Sequence, residues 1–284
     1  MCCSNPPSSE PAGSTARAPF HGSLELVFAP GPRGTVLAHA HVTAPLKIVR
    51  PFALDGGRAL VQMLTLGPGL CAGDRYTIDV TVQPGASAVV IAQSATRVLG
   101  MPDSADATQS VRLTVSAGGQ LEYYPGLTIP FAGSSFRQRV EAHVHPGARL
   151  GILESWSTGR ISRGEHLRFR RISSRTTVSV NGSPAYADAL ELEPARADVA
   201  GTGILEGYRY VASGVWYGAT LDPSEPESTS DGVLTAIGHS TPDQVYLRAL
   251  AMDGYALGVA LQAAVRRVNT GWGLEPIPLR RFTS

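Results

Sequence analysis

The chain has 284 residues, enough to bury a sizeable core as one large β domain or two ordinary ones. Lys plus Arg number 24 against 23 Asp plus Glu, a formal charge of +1, so no global field steers nucleic acid or an anionic membrane toward it. Charged residues make up 17%, below the roughly 25% usual in soluble domains, while 31 Gly and 21 Pro supply many turns. That combination suits a strand-rich protein whose surface is partly covered by partners.

The first 19 residues, "MCCSNPPSSEPAGSTARAP", have neither a charged n-region nor an apolar h-region and read as a disordered tail before a single domain over 20–284. Cys2, Cys3 and Cys71 are too few and too badly spaced for a zinc site or a disulfide framework, which suits a cytoplasmic chain. No apolar run approaches the roughly 20 residues of a membrane helix; the longest candidate, 256–265, is broken by Gly258 and Gln262.

From about residue 20 to 235 short alternating runs are separated by Gly or Pro turns, predicting a mainly β body. Side chains alternate along a strand, so Tyr76, Ile78, Val80 and Val82 share one face and Thr77, Asp79 and Thr81 the other. Val111, Leu113 and Val115 repeat the arrangement, as do Phe136, Val140 and Val144 opposite Arg137, Arg139, Glu141 and His143. The run 167–172 sets Leu167 and Phe169 against Arg168 and Arg170. Asn181-Gly182 predicts a hairpin turn, because this pair accepts positive φ angles. Three stretches, "PGASAVVIAQSA", "AGGQLEYYPGLT" and "PGARLGILESWS", begin at residues 84, 117 and 146 and share a turn followed by an apolar run. Such spacing fits a β-helical or stacked-sheet body. After a polar loop at 221–232, "STPDQVYLRALA" offers Ser240 or Thr241 as an N-cap and Pro242 in a first turn, and "YALGVALQAAVRRVN" is alanine-rich with Arg266 and Arg267 near its end. Two C-terminal α-helices are expected, over about 240–270.

With Lys47 the only lysine, a phosphate loop of the G-x-x-x-x-G-K-[ST] type is impossible, and G-x-S-x-G, H-E-x-x-H and C-x-x-C are absent. The pairs His39/His41 and His143/His145 each present two imidazoles on one strand face, either as partial metal sites or as the polar face of an amphipathic strand. "GPGLCAGD" at 67–74 either wraps an anion with turn amides or forms the corner that feeds a strand. "STGRISRGE" at 157–165 gathers Arg160, Arg163 and Glu165 between glycines, as a rigid loop for recognising a protein surface or as a solvated turn. The classes left open are a scaffold or metallochaperone, a β-sandwich binding module for a peptide or sugar, and a metal-dependent hydrolase built on the histidine pairs.

In their order along the chain, five stretches resemble the UreD family of urease accessory proteins, called UreH in some bacteria: "GPGLCAGD", "AQSATRVL" at 92–99, "LEYYPGLTIPFAGSSFRQRV" at 121–140, "GRISRGE" at 159–165 and "YLRALA" at 246–251. The resemblance spans about residues 22–282. Pro68 stands where many members have glycine, Arg97 replaces the usual lysine and Leu99 the usual aromatic, and "GSSF" lacks an arginine often found there. On this resemblance the matching motif residues are Gly69, Gly73, Asp74, Gln93, Thr96, Arg97, Gly159, Arg160, Gly164 and Glu165. It implies a non-catalytic protein that binds UreF, reaches the GTPase UreG through UreF, and docks on apo-urease to help install nickel, with no stably bound cofactor. Nickel in transit needs weak, exchangeable ligands; the candidates are Asp74, Glu122, Glu154, Glu165, His143 and His145.

Overall fold

The computed structural model describes residues 18–221 and 232–279; the expected tail up to residue 17 and most of the polar loop at 221–232 lie outside the described residues. A hairpin of β1 (His21–Gly31) and β2 (Gly34–Val42) comes first, then the short β3 (Leu46–Ile48) and β4 (Phe52–Ala53) and the longer β5 (Ala59–Thr65). Successive passes then cross between two walls. The first runs from β6 (Arg75–Val82) into β7 (Ser87–Ala92) and the short β8 (Thr96–Val98), the second from β9 (Ala107–Val115) into β10 (Gln120–Pro130), the third from β11 (Ser135–Val144) into β12 (Arg149–Ser157). The fourth, β13 (Arg171–Val180), folds back through Asn181-Gly182 into β14 (Ser183–Leu192). Strands β15 (Tyr210–Tyr217), β16 (Val233–Thr241) and β17 (Gln244–Ala251) extend the second wall, and α1 (Gly254–Gly271) lies against it.

The first wall has the order β14-β13-β11-β9-β6-β1-β2 and the second β16-β17-β15-β12-β10-β7-β5-β3, with β4 on β5 and β8 on β10. Within them β6, β9, β11 and β13 are mutually parallel, as are β5, β7, β10 and β12. This is the stacked, solenoid-like arrangement the three repeated stretches predict. Their turns stack because each repeat is one circuit of the coil: Ser87, Gln120 and Arg149 are register partners, and Gly85, Gly118 and Gly147 all take left-handed φ of 67–73° just before them. Asn181 and Gly182 have φ of 50° and 80°, the values their hairpin turn requires.

The inward residues of both walls form one core, including Leu26, Phe28, Ile78, Leu113 and Val140 against Val61, Val90, Leu121 and Leu150. A second core lies on the other face of the second wall, where Val89, Ile91, Leu153 and Trp216 meet Leu257, Leu261, Val265 and Val268 of α1. Strand β7 is buried on both faces, so 88–92 reads as an unbroken apolar run rather than an alternating one.

One expected helix is a strand. In "STPDQVYLRALA" the buried apolar residues are Val245, Leu247, Ala249 and Ala251, a period of two, and the segment pairs with β15 and β16. Ser240, Thr241 and Pro242 serve a hairpin corner, with Thr241 Oγ1 donating to Asp243 at 2.8 Å, instead of capping a helix. Among the described residues there is therefore one C-terminal helix where two were expected, and β strands continue to Ala251. Helix α1 matches the second expectation, with Asp253 as N-cap accepting from Ala256 N at 2.8 Å. Leu167 through Arg170 also depart from the expected strand: Leu167 has φ 53° in a turn, and β13 begins at Arg171.

Candidate functional site

Four of the motif stretches stack on one edge of the coil, opposite the short Gly turns. Leu70 N donates to Arg97 O and Leu99 N to Leu70 O, both at 2.8 Å, joining the first motif to the second. Phe131 N donates to Val98 O at 2.8 Å, joining the second to the third. Gly133 N reaches Arg168 O at 2.8 Å and Ala132 N reaches Glu165 Oε2 at 3.2 Å, adding the fourth. Residues about thirty apart in sequence thus become neighbours because thirty residues is one circuit.

Backbone proximity decides two of the glycines. A Cβ on Gly69 meets Arg97 O at 2.4 Å and one on Gly159 meets Glu165 O at 2.4 Å, with φ of 141° and 144°. Gly69→Ala is expected to lose roughly 2–4 kcal/mol of stability, from strain plus displaced backbone. Thermal unfolding of the variant checks this, and a change within about 0.5 kcal/mol refutes the close approach.

Asp74 is fully buried and its carboxylate accepts from Phe20 N at 2.8 Å and Cys71 N at 2.9 Å, holding the turn that Gly73 completes at φ 78°. Gln93 and Arg97 are exposed, Arg97 Nη2 donating to Gly67 O at 3.3 Å, while Thr96 is half-buried. Arg160 sits 4.2 Å above the Phe131 ring and donates twice to Glu165, from Nε at 2.9 Å and from Nη2. Those hydrogen bonds hold the Glu165 carboxyl below the usual carboxylate range. Gly164, in the left-handed region at φ 71°, closes the short 3-10 turn Ile161–Arg163 within that loop.

Between the walls, this edge opens into a polar seam. A cavity of about 50 Å³ is lined by Gly69, Thr96, Arg97, Gln109 and Tyr123 among others. The Tyr123 hydroxyl is buried with no hydrogen-bond partner among the described residues. Gln109 Nε2 donates to Gln138 Oε1 at 3.0 Å, and Gln138 Nε2 donates to Glu154 Oε1. Thr176 Oγ1 donates to Glu154 Oε2 at 2.7 Å. Beyond Glu154 a crevice is lined by Thr176, Tyr186, Asp188 and Ser213, and Arg248 pairs with Asp188 at its rim.

Glu154 is 4% exposed, and its partners are an amide and a hydroxyl rather than a cation. Burial pushes its carboxyl above the usual range, opposed by the Thr176 and Gln138 hydrogen bonds and reinforced by Asp188. Burial and the Glu154 charge likewise push the Tyr123 phenol up, so it stays protonated.

Glu122 belongs to a different place, the core beneath α1. It pairs with Arg58 at 3.1 Å and accepts from Tyr124 Oη at 2.9 Å and Asn269 Nδ2 at 2.8 Å. His143 and His145 are exposed at the far edge, His143 Nδ1 lying 2.9 Å from Ser179 Oγ. The six transit candidates are therefore not brought together; among the described residues no three His, Cys, Asp or Glu are arranged to hold a metal. Only Glu154 lies in the seam. Sequence reasoning missed its neighbours Gln109, Gln138 and Thr176, although the signal was present: Gln109 shares inward parity with Val111, and Gln138 shares it with Phe136 and Val140.

A family model described as UreD urease accessory protein matches residues 21–283. The chain is similar to the urease accessory protein UreD of Deinococcus radiodurans, at 35% identity over 94% of this chain and 97% of that protein. It is also similar to urease accessory protein UreD 1 of Synechococcus sp. (strain JA-3-3Ab), at 40% over 76% and 82%. A third relative, UreD of Haloarcula marismortui, is 31% identical over 88% and 81%.

Proposed function

Since this chain belongs to the UreD urease accessory protein family, we infer that it is a non-catalytic scaffold in urease maturation and that nickel crosses it on the way to apo-urease. It acts in the cytoplasm with UreF, and through UreF with the GTPase UreG; nickel is its cargo and not a resident cofactor. The observation that supports transit is Glu154, a buried carboxylate facing no cation, in a polar seam that opens beside the stacked motif turns. A buried carboxylate without a cationic partner is costly, and retaining one is accounted for by a cation that visits it. Weak oxygen ligands suit a carrier, because they release what they bind. Among the described residues no helix is long and apolar enough to cross a membrane.

The test is urease activity and nickel content in cells making the matching urease and every other accessory protein, with and without this chain. Urease is expected to stay nickel-free without the chain and to fill with it. Equal nickel content in both refutes the reading.

A further inference from the structure

The seam runs through one side chain. Gln138, 8% exposed in β11, bridges by hydrogen bonds from Gln109, which lines the cavity with Tyr123, to Glu154, which lines the crevice with Thr176. Its register partners are Gln109 in β9 and Ser174 in β13, so three polar side chains form one row along the coil axis. Gln109 Nε2 donates to Gln138 Oε1 at 3.0 Å; Gln138 Nε2 donates to Glu154 Oε1 and, at 3.3 Å, to Ser174 Oγ. Both amides aim their donors toward the carboxylate. In this state amide hydrogens face any cation arriving at Glu154, and the side chain of Gln138 stands between Gln109 and that carboxylate.

We propose that Gln138 is both gate and ligand for a divalent cation at Glu154, its amide flipping to turn Oε1 toward the cation. A matching flip of Gln109 preserves the bond between the two amides, now from Gln138 Nε2 to Gln109 Oε1. The closed and open rows keep that bond in opposite directions, and the cation takes over the contact to Glu154 that the Gln138 donor gives up. In the open row, Glu154, Thr176 Oγ1, Ser174 Oγ and Gln138 Oε1 offer an all-oxygen set, which binds a divalent cation loosely enough for exchange. The neutral amide supplies a ligand without a second buried negative charge, so the cation can leave as readily as it arrives. The gate rests on the transit reading above, because it has a task only if a cation enters the seam.

The experiment compares the initial rate of urease nickel filling at limiting nickel in cells carrying Gln138→Leu, Gln138→Asn or Glu154→Gln, with recovery of the full chain in complex with its partners measured alongside. Leucine keeps the volume and removes the amide. Asparagine keeps the amide but is one methylene too short to reach Glu154, and it serves as the second variant should leucine impair folding. Both are expected to slow filling about tenfold, the lower end of what losing a group that supports a metal ligand does, at wild-type recovery of the complex. If Glu154→Gln slows filling while both Gln138 variants fill at the wild-type rate, the gate is overturned and the transit reading survives. If Glu154→Gln fills at the wild-type rate, the transit reading falls and the gate with it.

Discussion

Glu122→Ala is expected to destabilise the chain by about 3–5 kcal/mol, because it strands a buried guanidinium. Arg58 is 2% exposed and Glu122 fully buried, and they meet at 3.1 Å beneath α1. The carboxylate also accepts from Tyr124 Oη, whose oxygen in turn accepts from Trp216 Nε1 at 3.0 Å, and from Asn269 Nδ2. Asn269 Oδ1 takes Ile277 N at 3.2 Å, and Arg58 Nη2 donates to Glu275 O. One carboxylate therefore ties β10, the segment before β5, the last turn of α1 and the chain after it. Gln120 Nε2 also reaches the carboxylate, at 3.5 Å, so removing it takes one acceptor from each of four buried donors, on Arg58, Gln120, Tyr124 and Asn269, each adding its own desolvation penalty. Thermal unfolding should show a melting temperature lower by roughly 6–20 °C, at about 2–4 °C per kcal/mol for a large domain. Amide exchange over 269–279 should accelerate more than in the inter-wall core. The double variant Arg58→Met, Glu122→Leu should recover most of the loss, since replacing both charges removes the stranded ion. A single variant within about 1 kcal/mol of wild type contradicts this account, because surface substitutions already reach about half that size.

How much of this was legible in the sequence depends on which physical signal carries it. The strand faces were legible because Cβ directions alternate along a strand, and Ile78, Val80, Val111 and Leu113 lie inward as their parity predicts. The coil was legible because a circuit of near-constant length repeats its turn, which puts Gly85, Gly118 and Gly147 in one column. The strand Gln244–Ala251 was misread since Ser240, Thr241 and Pro242 satisfy both helix-start and hairpin-corner chemistry. Its alternation from Val245 to Ala251 settles the matter once β15 lies beside it, and tertiary pairing overrides local propensity. The motif residues were legible as a set, and their common edge follows from the circuit length. Which acids are structural was only partly legible: Arg160 stands in the same loop as Glu165, but Asp74 and Glu122 are held by Phe20 N and the Arg58 guanidinium, which arrive from distant segments. Glu154 differs in that the partners of its carboxylate are side chains, the Gln138 amide and the Thr176 hydroxyl.

That difference predicts a trade between stability and function. Glu154→Gln is expected to lower urease nickel filling about 10–100-fold, the effect of losing a metal-supporting group, while stabilising the chain at neutral pH by about 1–3 kcal/mol through removal of an uncompensated buried charge. The pH dependence fixes the sign. Burial raises the folded carboxyl above its ordinary 4.5, so the folded chain holds its proton to higher pH than the unfolded chain does. The resulting stability is fully present below about 4.5 and is lost as pH rises through the folded value. Glutamine does not titrate, so the advantage of the variant should be smallest near pH 5 and grow toward pH 8. The raised Glu122 carboxyl contributes the same slope to both proteins and cancels in the comparison. Tyr123 and Tyr186 are both pushed up by burial, so neither phenol titrates between pH 5 and 8 in a way that mimics the effect. Melting curves of both proteins at pH 5 and pH 8 measure the difference. A variant less stable than wild type at pH 8 shows instead that the Glu154 carboxylate is a structural acceptor for Gln138 and Thr176, and the case for a visiting cation loses its main support. A more stable variant that no longer fills urease identifies a charge kept in the core for the cargo.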